Sequence, residues 1–522
     1  MNPRQVIEKA HNKEYQAIPP LVRPYIKGID SSSLAAIVKE IEDYFRRSDF
    51  MEPESYVSGK DLAKVAYEFH ERAGTLTDRV QLEIKKLEED FPRLRLAHQI
   101  NLFLSMAVTG QLIQMHAISK ALRETHGIDT VELYLALDYD VAEDRRFRVS
   151  HFPDISRHGG TLAITGAVSK RDFNKPMWAI PKPSRELVRS WLEQVKASGM
   201  HNLLFLKRSK MVAVHPERFW RNFDLIEETI WYAYERSESL VEFNAIFLSV
   251  VVNRFWNLPV IFLLGSRIQP YMRRGHEVLL RKYGDIREIL YEAYHYFREQ
   301  GITIKGSPQR MRDAFPFWFV CPHCHARLEM RREDWNSQKV KVFSHCRKCN
   351  LKYEFTLGKP DSPDLSMVLG KVAPRIFLDN LNDFVSLGIV GGSGYIGQAE
   401  HLLLTNYVAK RIGYVLSPQI LYSPRVLYNG ITEIRSFLLL EQGEFNDRVL
   451  SALRWIYTGR ASLLYYLVNF GPKLLYTIWC AALKGKTLPE FGKILSCDEC
   501  DKVLSTLTRK LISLKERSYE HQ

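Results

Sequence analysis

The spacing of apolar and polar positions divides the chain into regions of different character. Apolar positions recur at helical spacing over 32–45 and 60–87, which predicts a charged, helical N-terminal region over 1–95. A helix is predicted over 102–121. The short apolar run 131–137 follows Gly127 and ends at an acidic cluster, which is typical of a buried strand.

Further strands are predicted beyond this first one. They cover 202–205, 211–214 and 259–264, and a long helical pattern over 223–255 precedes the last of them. Alternation of strands and helices predicts an α/β sheet. Another helical pattern covers 285–300, and residues 315–357 contain paired cysteines.

The second half of the chain returns to the main body through a linker rich in Pro, Gly and Asp. After this linker, 358–370, residues 389–397 resemble a strand entering a glycine-rich loop, followed by a helix over 398–410. The pattern predicts five regions: a helical region 1–95, a first part of the α/β core 96–314, a zinc ribbon insertion 315–357, a second core part 358–430 and a helical region 431–522. No fixed-period repeat is visible.

Length and charge limit the kind of protein this is. The chain has 522 residues and 46% hydrophobic content, which is more than a single hydrophobic core needs. This length indicates two to four folding units. The net charge of +13 favours anionic partners, either nucleic acid or small phosphorylated or carboxylated ligands. Because the charge is spread out, a basic surface without a specific polyanion partner is an equal alternative.

Cysteine content and hydropathy bear on location. Seven cysteines are too few for a disulfide scaffold, which indicates a reducing cytoplasm. The polar N-terminus lacks the apolar core of a signal peptide. Polar residues and proline interrupt the apolar stretches 243–264 and 461–483, so no membrane span is predicted.

Four cysteines have the spacing of a metal site. Cys321 and Cys324 form one CxxC pair, and Cys346 and Cys349 form another after 21 intervening residues. Four thiolates make a closed tetrahedral site, which predicts structural zinc without an open position for catalysis. Unpaired thiols and an iron–sulfur site are the alternatives.

Other side chains near and beyond this cluster are less informative. Three histidines lie beside the cysteines and could substitute as metal ligands, but with four thiolates present they are expected around the site or on the surface: His323, His325 and His345. The basic residues of the insert make it a candidate nucleic-acid contact or an ordinary solvated face. A further pair, Cys497 and Cys500, has acidic neighbours and no partner pair, which favours a structural interpretation.

Carboxylates follow the predicted strand 131–137. Asp138, Asp140 and Glu143 would lie beyond its carboxyl end, where ligands bind in open α/β sheets. Such a cluster can hold a divalent cation, bind an ammonium group or act as a general base. Ion pairing of a charged loop with its own arginines is the alternative.

Three further motifs could recognise an anion or a polar group. The loop Gly391-Gly392-Ser393-Gly394 can bring backbone N–H groups to an anion, although it matches neither a P-loop nor GxGxxG, and a simple tight turn is the alternative. Arg425 follows a strand-like run and could bind a carboxylate or phosphate through two hydrogen bonds. The His98-Gln99 pair precedes the helix predicted over 102–121.

Taken in chain order, these motifs resemble the bacillithiol-synthesis cysteine ligase family. That family carries a His-Gln pair, a strand ending in Glu-Asp-His-Asp-x-x-Glu, a Val-Gly-Gly-Pro-Gly-Glu loop and a Pro-Arg dipeptide. The matching segments here are His98-Gln99, Asp138–Glu143, Val390–Tyr395 and Pro424-Arg425, and Asp383 matches a family acid before the loop. Order and spacing agree across roughly 96–150 and 370–430, and more loosely across 240–300.

The resemblance implies a Rossmann-like core with inserted segments and a helical C-terminal region. It also implies a ligase that joins cysteine to the amine of a glucosaminyl-malate. Amide formation needs an activated acyl group, so either ATP, together with Mg²⁺, or an already activated donor is implied. Asp138, Asp140 and Glu143 would bind the amine or Mg²⁺, with His98 transferring protons. Gln99, Asp383, the Gly391–Gly394 loop and Arg425 would bind the substrate or cofactor.

The sequence departs from the family pattern at positions that bear on catalysis. Tyr139 replaces the histidine between the aspartates, and Leu137 and Tyr395 replace glutamates. Two alternatives therefore stand beside a ligase acting on a small anionic, sugar-derived acceptor. One is a zinc-ribbon protein that binds nucleic acid such as tRNA, and the other is a non-catalytic relative acting as a binding module. The C-terminal helices are a candidate homodimer contact.

Overall fold

The structure is a computed structural model. It describes residues 57–208, 216–300, 314–368 and 460–473, together with isolated positions at 38–39, 41–43, 45–46, 372–373, 407–408, 411, 448, 451–452, 455 and 475–476. The predicted strand 211–214, the strand and glycine-rich loop predicted over 389–397 and the second cysteine pair lie outside the described residues, and of the helix predicted over 398–410 only 407–408 are described.

Helices predominate over 59–299, with short strands between them, and strands predominate over 314–373. The helices are α1 (Gly59–Ala73), α2 (Asp78–Glu88), α3 (Met106–His126), α4 (Arg145–Arg148), α5 (Arg185–Arg208), α6 (Pro216–Arg236), α7 (Leu240–Ser249), α8 (Gly265–Ile268), α9 (Arg273–Arg281), α10 (Tyr283–Glu299) and α11 (Leu463–Phe470). The strands are β1 (Arg93–His98), β2 (Val131–Ala136), β3 (Ser150–Pro153), β4 (Thr161–Ile164), β5 (Ile261–Leu264), β6 (Ala314–Val320), β7 (Arg327–Trp335), β8 (Val340–Cys346), β9 (Leu351–Thr356), β10 (Gly358–Lys359), β11 (Ser362–Pro363) and β12 (Val372–Ala373).

A parallel three-stranded sheet in the order β1-β2-β5 lies at the centre of the described core. Helix α3 connects β1 to β2, as parallel neighbours require. Both faces of the sheet are covered. Tyr134 and Phe262 belong to one hydrophobic cluster and Leu133 and Ile261 to another, so alternate residues of each strand face opposite clusters. The fold is therefore mixed α/β, as the strand–helix alternation predicts.

A second sheet contains the cysteines. It is antiparallel, with the order β12-β6-β7-β8-β9, and its strands β6 to β9 match the segment predicted as the ribbon to within one residue. Phe315, Phe317 and Val342 join the hydrophobic cluster beneath one face of the parallel sheet. The ribbon thus packs on the α/β core.

The last helix of the described residues, α11, also belongs to the core. Its eight residues are all buried, and the Ser462 N–H donates to the His151 carbonyl at 2.7 Å. The Trp256 indole donates to the Pro472 carbonyl at 2.8 Å. Residues distant in sequence therefore complete the hydrophobic cluster around α3, α6 and α7.

Two predicted elements are wrong. Residues 202–205, predicted as a strand, lie within helix α5. The Asn202 side-chain N–H donates to the Pro153 carbonyl, and the Asn202 side-chain oxygen accepts the Ile155 N–H. The single helical pattern 223–255 is interrupted after α6. Ser239 begins α7 there by accepting the Glu242 N–H, because an N-cap serine satisfies an otherwise unpaired donor.

Candidate functional site

The carboxyl ends of the three parallel strands bring together polar residues that are far apart in sequence. Gln99 follows β1, Asp138 and Asp140 follow β2, and Ser266 follows β5. The register pairs His98 with Ala136, so the residues after these two strands emerge side by side. We call Gln99, Asp138, Asp140 and Ser266 the strand-edge site.

Asp138 is held by the turn that follows β5. Its two carboxylate oxygens accept the Ser266 N–H at 2.7 Å and the Ser266 hydroxyl at 2.5 Å. Burial raises the pKa of the Asp138 carboxyl to about 6, against the lowering effect of these hydrogen bonds. Asp138 can therefore give up or take a proton close to neutral pH.

Asp140 lies between the core and the ribbon. The Gln99 side-chain amide donates to Asp140 Oδ2, a contact between residues 41 positions apart. On the other side, the Arg327 guanidinium of β7 lies 3.8 Å from Asp140 Oδ1. The two side chains are only 8% and 11% exposed, so their attraction is screened less than that of a surface pair.

Tyr139 separates the two aspartates and forms the apolar wall of the site. Its ring packs with Val320 of the ribbon, and Trp178 and Trp318 cover the same cluster. Gly265 makes room for this ring, since a Cβ at Gly265 would lie 2.3 Å from Tyr139 Cε1. The Tyr139 side chain therefore fills space against the ribbon.

Two other predicted site residues lie at the margin. The His98 Nδ1 is 2.7 Å from the Gln99 carbonyl oxygen, and His98 is partly buried at the end of β1. Glu143 is exposed in the turn before α4, where its carbonyl accepts the Arg148 Nε–H at 3.3 Å. The remaining predicted residues, Asp383, Gly391, Gly392, Ser393, Gly394 and Arg425, lie outside the described residues.

The four ribbon cysteines converge on one point. Their sulfur atoms all lie within 4.8 Å of one another, with Cys321 to Cys349 at 3.9 Å and Cys324 to Cys346 at 3.5 Å. A tetrahedron of Zn–S bonds of about 2.3 Å has edges of about 3.8 Å. The sulfur spacing is too long for disulfides and fits a four-thiolate metal site.

The two knuckles share a local geometry that explains the convergence. The residue after each CxxC pair, His325 in one and Asn350 in the other, has a positive φ of 57° and 53°. The first turn is closed by hydrogen bonds from the His325 N–H to the Cys321 carbonyl and from the Cys321 N–H to the Ala326 carbonyl, each at 2.9 Å. These tight turns aim both sulfurs of a pair inward.

The Cys321 thiol has a lowered pKa. Burial opposes the thiolate of Cys321, but hydrogen bonds from the Tyr353 hydroxyl at 3.3 Å and from knuckle N–H groups lower the pKa of this thiol to about 6. Metal ligation requires the thiolate form. The cluster can therefore hold a metal such as zinc.

Sequence reasoning missed one residue of the strand-edge site, Ser266, and two residues that contact the site, Arg327 and Trp178. Ser266 had a usable signal, because it directly follows the predicted strand 259–264 and strand ends carry sites in α/β folds. Arg327 and Trp178 had no such signal in the sequence. Only tertiary packing brings the ribbon, which contains Arg327, and the 3₁₀ turn that contains Trp178 to the sheet edge.

In the part of the chain that the structure describes, no helix is long and apolar enough to span a bilayer. No protein-family model matches the chain, and no curated protein matches it.

Proposed function

We propose that the chain is a ligase-like enzyme whose active site is the strand-edge site, with a structural zinc ion in the ribbon. The observation that carries the proposal is the convergence of Gln99, Asp138 and Asp140 at the carboxyl ends of adjacent parallel strands. This is the position of ligand sites in open α/β sheets. It supports a Rossmann-like core, which the sequence resemblance to bacillithiol-synthesis cysteine ligases implies.

The proposed reaction joins an activated carboxyl group, cysteine in the resembled family, to the amine of a small anionic, sugar-derived acceptor. The amine nitrogen attacks the carbonyl carbon, and the leaving group departs with the electron pair of the broken bond. The proton lost by the amine needs a base. Asp138 suits this role better than His98, because its pKa of about 6 leaves it ionised at neutral pH yet basic enough to accept a proton.

Asp140 has a different proposed role. Its carboxylate is oriented by Gln99 on one side and Arg327 on the other, so it can bind the ammonium form of the acceptor before proton loss. Activation of the carboxyl group requires ATP and Mg²⁺ in this proposal. The Gly391–Gly394 loop and Arg425 remain the predicted sites for anionic groups.

The proposal is tested by incubating the purified protein with cysteine, ATP, Mg²⁺ and a panel of amines that includes glucosaminyl-malate. Mass spectrometry should detect an ATP-dependent condensation product. Asp138→Asn should reduce its rate by about 100-fold or more, the usual contribution of a general base. Asp285→Asn, which changes an exposed acid of α10, is the matched control and should be neutral. Product formation at the normal rate by Asp138→Asn would overturn the assignment of the base.

The nucleic-acid alternative gains less support from the ribbon. Several of its basic side chains pair with acids of the ribbon itself: Lys352 with Glu354 at 2.6 Å, Lys339 with Asp334 at 3.3 Å and Arg331 with Glu329 at 3.7 Å. These pairs reduce the positive field that a phosphate backbone requires. Filter binding at low salt tests the alternative, since nucleic-acid affinity should be high there and fall steeply as salt is added.

A further inference from the structure

The ribbon meets the strand-edge site through the residue that directly follows its first knuckle. Arg327 is the first residue of β7 and pairs in register with Val320, so the knuckle turn connects the two paired positions. The Cys321 N–H to Ala326 carbonyl hydrogen bond closes this turn one residue before Arg327. The turn conformation that brings the first two thiols together therefore also determines the position of Arg327.

The same residue is anchored to the core at its backbone and side chain. The Arg327 N–H donates to the Asn174 carbonyl at 2.8 Å, and its guanidinium lies 4.2 Å from the centre of the Trp318 ring and 3.8 Å from Asp140. The His325 and Trp178 rings are nearly perpendicular, and their centres lie 6.2 Å apart. All these contacts lie on the side of the ribbon that faces the strand-edge site.

We propose that zinc binding in the ribbon and the positioning of Asp140 are coupled through Arg327, so that the metal holds the ribbon closed on the strand-edge site. With zinc bound, the knuckle is rigid and Arg327 faces Asp140. Without zinc, four thiols lose their common partner and the turn before Arg327 loosens. Arg327 is thus a positioning residue that acts through Asp140. The inference rests on the proposed function only in taking Asp140 as part of the site and zinc as the metal.

Coupling is reciprocal, which gives a test that needs no substrate. If zinc favours the Arg327–Asp140 contact, the contact must favour zinc to the same degree. Asp140→Asn changes no metal ligand, yet it should weaken zinc binding by about tenfold, within the usual range of coupling between sites. Arg327→Gln should weaken it equally, and Arg327→Lys, which keeps the charge, should lie between Arg327→Gln and the wild type.

The experiment is competition for zinc between the full-length protein and a chromophoric chelator. The double variant Arg327→Gln/Asp140→Asn should lose no more affinity than either single variant, because both remove the same contact. Arg331→Gln is the matched control. It lies on the same strand but is 62% exposed and pairs with Glu329 within the ribbon, so zinc affinity should stay unchanged. Unchanged affinity in both single variants, additive losses, or an equal loss in Arg331→Gln would each overturn the coupling.

A second measurement covers the case in which the Asp140 variant does not fold. Hydrogen exchange of the wild-type protein should rise at 174–178 and 138–142 when a chelator removes zinc. The Met177 N–H bonds the Asp140 carbonyl there, and the Trp178 N–H bonds the Asp138 carbonyl. Exchange in β1 should not change, and a rise confined to the ribbon would refute the coupling. Loss of product formation in Asp138→Asn tests the proposed enzyme separately, since it does not involve zinc affinity.

Discussion

Gly265 offers a sharp test of how the strand-edge site is built. It follows β5 directly, and a Cβ on it would lie 2.3 Å from Tyr139 Cε1 and 3.0 Å from Cζ. Relief to ordinary carbon–carbon contact requires the ring to move by about 1 Å. The ring cannot escape to solvent, because Tyr139 is 5% exposed beneath the ribbon. Gly265→Ala should therefore destabilise the protein by about 1–3 kcal/mol, the usual cost of overpacking.

The matched control is Gly284→Ala near the start of α10. A Cβ there meets nothing within 4 Å, so alanine should be neutral or stabilise the helix by about 0.5–1 kcal/mol. Urea unfolding of both variants and the wild type, followed by circular dichroism, gives the difference. Replacing Tyr139 with alanine in the Gly265→Ala background should remove most of the added strain. If Gly265→Ala unfolds at the same urea concentration as Gly284→Ala, the packing of Tyr139 against the strand end is wrong.

Three other predictions concern pH, metal and backbone strain. Burial lowers the pKa of His70 and His276 from 6.5 to about 3, so folding favours their neutral forms. The contribution of these neutral histidines to the free energy of unfolding is complete above pH 6.5 and is lost as the pH falls towards 3. His70→Gln should therefore reduce the fall of the urea midpoint between about pH 7 and 4. Cys321→Ser should reduce zinc from about one ion per chain to nearly none by elemental analysis, whereas Cys497→Ser should leave it unchanged. Asn350→Val should lower the thermal midpoint by forcing a β-branched residue to a φ of 53°, at a cost of about 1–2 kcal/mol, while Asn350→Gly should be tolerated.

In the parallel sheet, the strands that the sequence predicts correctly are buried at every position. Strand β2 is buried at all six positions, and the apolar run 131–137 shows it directly. Strand β5 is likewise buried throughout and appears as part of the predicted strand 259–264. Burial on both faces of a parallel sheet leaves a mostly apolar run, which in β2 is interrupted by Glu132, a buried acid that pairs with His116.

Strand β1 escaped prediction because two arginines interrupt its pattern. Arg93 and Arg95 are 2% and 1% exposed, although arginine is rarely buried. The Arg93 guanidinium donates to the Val57 carbonyl at 3.1 Å and to Asp90 at 2.6 Å. These partners precede the strand in the chain, and no local pattern predicts that they fold back onto it.

The error at 202–205 has a related cause. Four residues with three apolar side chains fit a strand as well as one face of a helix, so a short run cannot decide between the two periods. The 24-residue helix α5 decides the matter by continuing through the run. Longer context, more than local composition, determines the secondary structure there.

The candidate site shows the same division between local and tertiary information. The rule that strand ends gather polar residues led to Asp138 and Asp140, and the sequence resemblance led to Gln99; the structure brings the three together. The rule contains nothing about an insertion, so it could not show that Arg327 would approach Asp140 from another sheet. Cysteine spacing predicted the thiol cluster because CxxC turns determine ligand geometry locally.

Asp138 is the residue whose chemistry is hardest to explain by folding alone. The fold needs an acceptor for the Ser266 N–H and a partner for its hydroxyl, and an asparagine could supply both. Because burial raises the pKa of Asp138 from 3.8 to about 6, the carboxyl group lowers the free energy of unfolding at neutral pH. The stabilising contribution of its protonated form is complete only at low pH and is lost as the pH rises through 6. Asp138→Asn should therefore keep or raise the urea midpoint at pH 8 while reducing the proposed turnover by about 100-fold or more, and a lowered midpoint would indicate that the carboxylate serves the fold.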